Sequence, residues 1–365
     1  MEKHPERIER SQALSRREFL RVAASVGAVG AGAVLLGGCG SDDGKGGRTS
    51  TPGTVVDPPP ETTTIRLPKI PALQNVHGTP LYLAQEFLTA EGFTDVQYID
   101  VPLASGGVPQ LAAGEIDISL NFAPDFTVAA DAGDQLVILA GVRRSAFSLF
   151  GNDRVRSLRD LKGKRIWILP RDAADATAFW AALLGFVGID IETEVEFVEL
   201  SLADFVPALL AGKIDVWLLT PPSSTLLRNL GDGHVVLDGM MDPPWSGYFG
   251  NFATGNRDFI EKHPAATKRA LRAILKATDV CAREPERAAR YLVDKGFTAL
   301  PYDFVLDGIR APSYAAWRQF DPEDTMRFYA LRLREAGLVK STPDALIARA
   351  TDWRYLNEIK RELAV

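Results

Sequence analysis

The stretch Val108–Leu120, VPQLAAGEIDISL, returns 98 residues later as Val206–Leu218, VPALLAGKIDVWL, and eight of the thirteen aligned positions are identical. A strand-like run precedes each copy, Val96–Asp100 before the first and Val195–Glu199 before the second. Each copy therefore predicts a strand, a loop, a short helix, a glycine turn and a second strand. Two distant copies do not make a solenoid, whose repeats span roughly 20–50 residues. They predict two similar α/β lobes.

The glycine and the aspartate that both copies share have structural explanations. Gly114 and Gly212 follow the helix, at a position where glycine adopts the left-handed conformation at little cost. Asp117 and Asp215 stand at the entrance of the next strand, and we expect them to cap or hydrogen-bond there rather than to bind a ligand. The repeat thus describes the scaffold.

The rest of the chain fits the same architecture, because strand-like and helical segments alternate from Thr62 onward. We predict a discontinuous first lobe over residues 62–146 and 251–365 and a second lobe over residues 147–250. The chain crosses between them near Ala146–Phe150 and again near Tyr248–Ala253. Two such crossings form a hinge that can close over a ligand.

The C-terminal part of the chain is predicted to be helical and to pack on the first lobe. Its helices carry capping residues at their starts, which we place near Asp258, Glu284, Asp321 and Thr342.

Composition excludes several classes of protein. The 365 residues include 41 Lys and Arg against 47 Asp and Glu, a net charge of −6, which argues against a nucleic-acid-binding protein. Two cysteines form neither a disulfide framework nor a cysteine-based zinc site, and four scattered histidines do not suggest a metal cluster. We therefore predict no metal and no cofactor. A protein that binds or converts a small molecule remains.

The N-terminal residues have the pattern of an export signal. Arg16 and Arg17 stand directly before an apolar stretch, Val22–Gly38. At 1.5 Å per residue this stretch spans roughly 25 Å, short of the roughly 30 Å hydrocarbon core of a bilayer. We predict a signal peptide over residues 1–38, and the arginine pair resembles the twin-arginine export signal. A general secretory signal or a short anchor is the alternative.

The apolar stretch ends in Leu36-Gly37-Gly38-Cys39, which resembles the lipobox of bacterial lipoproteins. In that motif the cysteine thiol takes a diacylglycerol and becomes the first residue of the mature protein. Residues 39–61 are rich in Gly, Ser, Thr and Pro and predict a flexible linker. The resulting expectation is an exported protein, in the periplasm or on the outer face of the cytoplasmic membrane, with a lipid anchor on Cys39.

Several motifs together resemble the substrate-binding lipoproteins of bacterial ABC transporters, which have the two-lobed, type II periplasmic binding protein fold. Within them the chain is most similar to the nitrate/sulfonate/taurine and thiamine-precursor branch. The motifs that carry the resemblance are TPLYLA at 79–84, SGG at 105–107, LAAGEID at 111–117, SLRDLKGK at 157–164, LAGKID at 210–215 and FIEKHP at 259–264.

This resemblance implies an α/β clamshell in which each lobe is a mostly parallel sheet flanked by helices, with the ligand cleft at the two-crossing hinge. It implies capture of a small molecule without chemistry, and delivery to an ABC permease with its ATPase. The protein is expected to be a monomer. The same closure serves a ligand-sensing partner of a membrane receptor, which is the alternative function. An enzyme of pyrimidine-precursor synthesis shares the fold, but its cysteine-rich cluster is absent from this sequence, and Cys281 stands in a helical run as a buried structural thiol.

Ligands of open α/β sheets bind beyond the C-terminal ends of strands, near the starts of helices. Loops at such positions and the resemblance together select ten candidate ligand-binding residues: Asn75, His77, Thr79, Ser105, Gly106, Asn121, Thr177, Thr220, Trp245 and Tyr248.

The charge of the ligand stays open at this point. Asp172 and Asp175 stand in the loop that begins the second-lobe helix, where they repel an anion or occupy backbone donors as caps. Arg143, Arg144 and Arg171 compensate in charge. Nitrate or a sulfonate is one possibility, and a heteroaromatic or polar organic molecule held by Trp245 and Tyr248 is the other.

The lipid anchor gives a direct prediction. A Cys39→Ala variant expressed in its bacterial host should move from the membrane fraction to the soluble fraction, because it lacks the thiol that takes the lipid. Cys281→Ala is the matched control and should stay with the membrane. Retention of the Cys39→Ala protein in washed membranes contradicts the anchor.

Overall fold

The computed structural model describes residues 57–70, 76–102, 105–170, 177–230, 233–311 and 314–363. The predicted export signal with Arg16 and Arg17, the lipobox with Cys39 and most of the linker lie outside the described residues. So do Asn75 and the loop segment 171–176 with its arginine and two aspartates. Within the described residues no helix is both long enough and apolar enough to cross a bilayer.

Two sheets form the first lobe, which comprises residues 57–145 and 249–363. Strands β1 (Thr64–Lys69) and β2 (Asp95–Asp100) pair in parallel, and β3 (Ile118–Phe122), β10 (Phe249–Asn256) and β4 (Leu136–Arg144) form an antiparallel sheet in that order. The two sheets adjoin where the backbone N–H of Asp117 donates to the carbonyl of Arg66 at 2.8 Å.

One five-stranded sheet forms the second lobe, residues 148–238. Its strand order is β7 (Glu196–Glu199), β6 (Arg165–Ile168), β8 (Val216–Leu219), β5 (Ser148–Gly151) and β9 (His234–Asp238). The chain enters this lobe through residues 145–147 and leaves it through residues 239–248, and we call these two stretches the hinge segments.

The α/β class is confirmed, and in each lobe one strand runs against the others. β5 runs antiparallel to both β8 and β9, and β10 runs antiparallel to both β3 and β4. Each of these two strands has just crossed from the other lobe, so it enters its sheet from the hinge side and runs against its neighbours. The remaining strands of each sheet share one direction.

The helices of the two lobes surround these sheets. In chain order they are α1 (Thr79–Leu83), α2 (Gln85–Leu88), α3 (Val108–Ala112), α4 (Ala123–Ala132), α5 (Ala178–Phe186), α6 (Leu202–Leu210), α7 (Ser223–Leu230), α8 (Arg257–Lys262), α9 (Pro264–Arg283), α10 (Pro285–Asp294), α11 (Tyr302–Arg310), α12 (Ala316–Gln319), α13 (Pro322–Glu335), α14 (Pro343–Ala350) and α15 (Arg354–Glu362). Short 3-10 turns cover Leu158–Leu161 and Trp245–Gly247.

The structural roles predicted for the repeat are confirmed. Gly114 and Gly212 follow α3 and α6 with φ of +74° and +66°. Asp117 accepts the backbone N–H of Arg66 at 2.7 Å and pairs with its guanidinium. Asp215 does the same with Arg165 in the other lobe, with a backbone bond of 3.1 Å and a guanidinium bond of 2.9 Å. Each aspartate ties the entrance of one strand to its neighbour.

The predicted helix starts near Asp258, Glu284, Asp321 and Thr342 are also confirmed, since α8, α10, α13 and α14 begin there. One of these helices, however, does not belong to the first lobe alone. Helix α13 lies between α4 of the first lobe and α5 of the second. Its approach to α5 is close, because a Cβ on Gly185 would lie 2.9 Å from the carbonyl oxygen of Arg332.

A network of charges holds the start of the described chain on α9. Asp57 pairs with Lys268 at 2.7 Å and with Arg272. Arg272 also contacts Glu91, a residue only 4% exposed, with Nε 3.0 Å from its carboxylate. Glu61 accepts the N–H groups of the first turn of α9, at 3.0 and 2.9 Å. We call Asp57, Glu91, Lys268 and Arg272 the clamp.

The clamp predicts a pH-dependent contribution to stability. Burial alone raises the pKa of Glu91, but hydrogen bonds from Arg272 and Lys276 outweigh it and hold the pKa below its usual 4.5. Glu91→Gln should therefore lower the free energy of unfolding at pH 7 by about 1–3 kcal/mol. The carboxylate's contribution is fully present above pH 4.5 and is lost as the pH falls through the lower folded value. The difference from wild type, measured by urea denaturation, should shrink below pH 4.5.

An exposed ion pair supplies the control for this prediction. Asp153 contacts Arg156 at 3.2 Å, and both side chains are exposed to solvent. Exposed ion pairs contribute little to the free energy of unfolding. Asp153→Asn should therefore unfold at the same urea concentration as wild type. Equal effects of the two substitutions, or a Glu91→Gln effect that persists unchanged at low pH, contradict the role of the clamp.

Candidate ligand-binding cleft

The strands that lead into and out of the hinge segments place three side chains in one row. Arg143, near the end of β4, lies directly opposite Asn251 of β10, and Asn251 lies directly opposite Phe122 of β3. Residues directly opposite each other on antiparallel strands have side chains on the same face of the sheet. The row therefore runs across the first lobe next to the crossings.

His77 covers this row and reaches the second lobe. Its Nδ1 lies 3.0 Å from Nη2 of Arg143, and its Nε2 lies 2.6 Å from the hydroxyl of Thr220. Its ring centroid is 5.8 Å from that of Phe122. The structure thus brings together His77 and Thr220, two of the predicted site residues, and adds Arg143 between them.

Arg143 is the most unusual charge of the described residues. Its side chain is 1% exposed, yet its Nε and Nη1 have no acceptor. No carboxylate within the described part of the chain forms an ion pair with it. Burial lowers the pKa of Arg143, but a guanidinium remains charged at physiological pH. An isolated buried charge destabilises the folded state by several kcal/mol. A negatively charged partner at this position would offset that penalty.

Arg144 points elsewhere. Its Nε donates to the carbonyl of Ser246 at 3.0 Å, its Nη2 donates to the carbonyl of Met240 at 3.1 Å, and its guanidinium lies over the ring of Phe320. Successive residues of a strand alternate between faces, so Arg144 fastens the second hinge segment while Arg143 faces the row.

Three further predicted residues lie together on the first lobe. The side-chain amide of Asn121 donates to the carbonyl of Ser105 at 3.0 Å, and its oxygen accepts the N–H of Phe122 at 2.8 Å. Gly106 has φ of +56°, and a Cβ there would lie 2.6 Å from the Asn121 amide nitrogen. The hydroxyl of Ser105 is buried without a hydrogen-bond partner. This turn thus presents an unused hydroxyl while Asn121 and Gly106 hold it in place.

Three segments meet beside His77: the loop before α1, helix α11 and the loop after β8 of the second lobe. Thr79 and Tyr314 both donate to the carbonyl of Val76, at 2.7 and 3.4 Å. A Cβ on Gly308 of α11 would lie 2.7 Å from Val76 and 2.9 Å from Pro222 of the second lobe. Thr79 is fully buried under this contact, so its hydroxyl supports the loop of His77.

The structure assigns Trp245 to packing, although the sequence predicted an aromatic wall of the ligand site. Trp245 is fully buried, with its ring edge-on to Phe147 and Phe328 at 6.1 and 5.2 Å. Tyr248 stacks on Phe328 at 4.1 Å. Both side chains fill the space between the second hinge segment and α13, because α13 brings aromatic residues against the crossing.

Thr177 directly precedes the second-lobe helix α5. It lines a pocket of about 210 Å³ with Ile191, Glu192, Val195 and Phe197. The remaining predicted residue, Asn75, is outside the described residues. Within the described residues no group of three or more His, Cys, Asp or Glu side chains is placed to hold a metal ion.

Sequence reasoning missed Asn251, Tyr314 and Gly308. Asn251 had a usable signal: it is a polar residue inside the otherwise apolar strand FGNFATGN, next to a predicted crossing. Its side-chain oxygen is buried without a partner. Tyr314 and Gly308 carry no such signal, because their place near the cleft depends on how the C-terminal helices fold back.

Solved structures of similar shape are periplasmic binding proteins. The periplasmic nitrate-binding protein NrtA from Synechocystis PCC 6803 is 15% identical, with a TM-score of 0.65 over 83% of this chain and 90% of that one. The alkanesulfonate-binding protein SsuA from Xanthomonas axonopodis pv. citri, bound to MOPS, is 20% identical, with a TM-score of 0.59 over 80% and 99%. The periplasmic aliphatic sulphonate binding protein SsuA from Escherichia coli is 19% identical, with a TM-score of 0.58 over 80% and 92%.

At these identities the likeness shows the fold, and the predicted periplasmic binding protein fold is confirmed. A search of curated sequences found no match. The sequence profile of the family described as NMT1/THI5 like matches residues 75–288, which is more than half of the chain, and the protein therefore belongs to that family.

Proposed function

We propose that this protein is the solute-binding component of an ABC importer, and that it captures a small anion between its two lobes and delivers it unchanged to a membrane permease. The similar structures include a nitrate-binding protein and two sulfonate-binding proteins, and the signal and lipobox motifs support export and attachment through Cys39. The ligand class is argued from the cleft itself.

The observation that carries the proposal is the buried, uncompensated charge of Arg143. Three of its N–H bonds, one on Nε and two on Nη1, lack an acceptor. The hydroxyl of Ser105 also lacks a partner. These groups are donors, and donors are what an oxyanion requires. An anion bound at Arg143 accepts the hydrogen bonds of its guanidinium and neutralises its charge together.

An aromatic ligand has less support. The proposal of a heteroaromatic molecule depended on Trp245 and Tyr248, and both rings are engaged with α13. Phe122, half-buried beside His77, is the aromatic side chain next to Arg143 in the row. It contributes an apolar surface, which suits an anion with a small organic group.

The proposal predicts binding without turnover. Purified protein should be stabilised in a thermal-shift assay by nitrate, methanesulfonate or taurine, and by none of a set of neutral amides and alcohols. Calorimetry should then give one site per chain. Recovery of a chemically altered ligand after incubation contradicts a pure binding role.

Arg143→Met tests the ligand class with two opposite effects. Binding of the anion should weaken at least thirtyfold, which corresponds to about 2 kcal/mol for a lost charged hydrogen bond. Without added anion the variant should melt at a higher temperature than wild type, because a buried unpaired charge has been replaced by an apolar side chain.

Arg144→Met is the matched control, since it removes the neighbouring arginine. It should bind the anion with nearly unchanged affinity but melt at a lower temperature, because the bonds to Ser246 and Met240 are lost. Unchanged anion affinity in Arg143→Met contradicts the proposed site.

A further inference from the structure

The hydrogen bond between His77 and Thr220 joins the two lobes across the cleft. His77 belongs to the loop before α1 of the first lobe, and Thr220 follows β8 of the second. Their side chains are 2.6 Å apart. The approach of Gly308 to Pro222 brings the lobes together at the same place. On this side of the hinge segments, the second lobe thus contacts the first through the imidazole of His77 and through Gly308.

The position of the ring's proton follows from its partners. Arginine has only donors, so Nη2 of Arg143 donates to Nδ1 of His77 over 3.0 Å. Nδ1 therefore carries a lone pair, the ring is neutral, and its hydrogen is on Nε2. That hydrogen is donated to the hydroxyl oxygen of Thr220. The hydroxyl keeps its own hydrogen, which is free to donate into the cleft.

We propose that His77 is a positioning residue that holds the second lobe closed over Arg143, and that it does so only while its ring is neutral. The inference rests on the proposed function, because it concerns closure of the same cleft. A proton on Nδ1 removes the acceptor for Arg143 and places two positive charges in hydrogen-bond contact. The ring must then leave its position, and the bond to Thr220 breaks with it.

No neighbouring group compensates for such a proton among the residues that the structure describes. Arg143 faces the ring from β4, and the loop after β8 supplies a hydroxyl and two prolines. Tyr314 donates to the carbonyl of Val76, beside His77. On α11 the charged residues nearest to Gly308 are Asp307 and Arg310, which are exposed. Burial, and then Arg143, lower the pKa of His77 well below 6.5.

The sign of the pH effect follows. Opening exposes the ring to water and removes the burial that lowers the pKa of His77, so that pKa is higher in the open form than in the closed form. Closure is therefore fully favoured above the pKa of the open form and weakens as the pH falls below it. The weakening is at most tenfold per pH unit and stops when the pH reaches the pKa of the closed form.

We call the hydrogen bond between His77 and Thr220 the latch, and two variants of Thr220 separate it from the rest of the site. Thr220→Val removes the hydroxyl and keeps the shape, whereas Thr220→Ser keeps the hydroxyl. Small-angle X-ray scattering of the purified protein at pH 7.5, without added anion, should give a larger radius of gyration for Thr220→Val than for wild type. Thr220→Ser should match wild type. Equal radii for the valine and serine variants overturn the proposal.

The proton requirement is tested by small-angle X-ray scattering at pH 7.5 and pH 5.5 without added anion, because an anion bound at Arg143 would itself compensate a proton on the ring. Wild type should have a larger radius of gyration at pH 5.5 than at pH 7.5, and His77→Gln should show no such dependence. His234→Gln, on β9 of the second lobe, is the control and should keep the wild-type profile. A His77→Gln protein with the wild-type profile overturns the proposal.

Scattering and anion binding together distinguish the latch from the proposed ligand. If no anion binds but the radius of gyration still separates valine from serine at position 220, the latch stands and the proposed anion site fails. If methanesulfonate binds through Arg143 but the two variants have the same radius, the anion site stands and the latch fails.

Discussion

The guanidinium of Arg143 is a charge that the described part of the chain buries without neutralising. Such a group destabilises the folded protein, and proteins commonly retain destabilising groups at functional sites. Its location explains why it is kept here. Arg143 lies two positions before the first hinge segment, and Asn251 opposite it lies three positions after the second. A ligand that neutralises Arg143 therefore acts at the point where the lobes turn.

The lobes meet on both sides of this point, which limits how they move. On the cleft side, His77 contacts Thr220 and Gly308 approaches Pro222. On the other side, α13 packs against α5 and against the ring of Trp245. The hydroxyl of Thr325 on α13 also accepts the N–H of Phe249 on the first lobe's β10 at 3.1 Å, so α13 contacts both lobes.

The sequence predicted the scaffold better than the site, for physical reasons. Gly114 acts through local backbone geometry, and its repetition at Gly212 revealed that role without any fold. The repetition of Asp117 at Asp215 indicated a scaffold role as well, although the partners, Arg66 and Arg165, are about fifty residues away. Like Gly114, helix caps such as Thr342 are local. Trp245 shows the limit: its position near a crossing suggested a ligand contact, but α13, about eighty residues further along, covers it. The pairing of Arg143 with His77 joins residues 66 positions apart, which no local pattern reports.

The clamp determines which lobe is attached to the proposed membrane anchor. Asp57, near the end of the predicted linker, is held by Lys268 and Arg272 of α9. Glu91 and α15, which complete the charge network, also belong to the first lobe. An anchor on Cys39 would therefore pull on the lobe that carries Arg143 and leave the second lobe free. Thr220 is the second-lobe partner in the proposed latch. Opening and closing would therefore move the second lobe relative to the anchored first lobe. Neither movement would break the clamp.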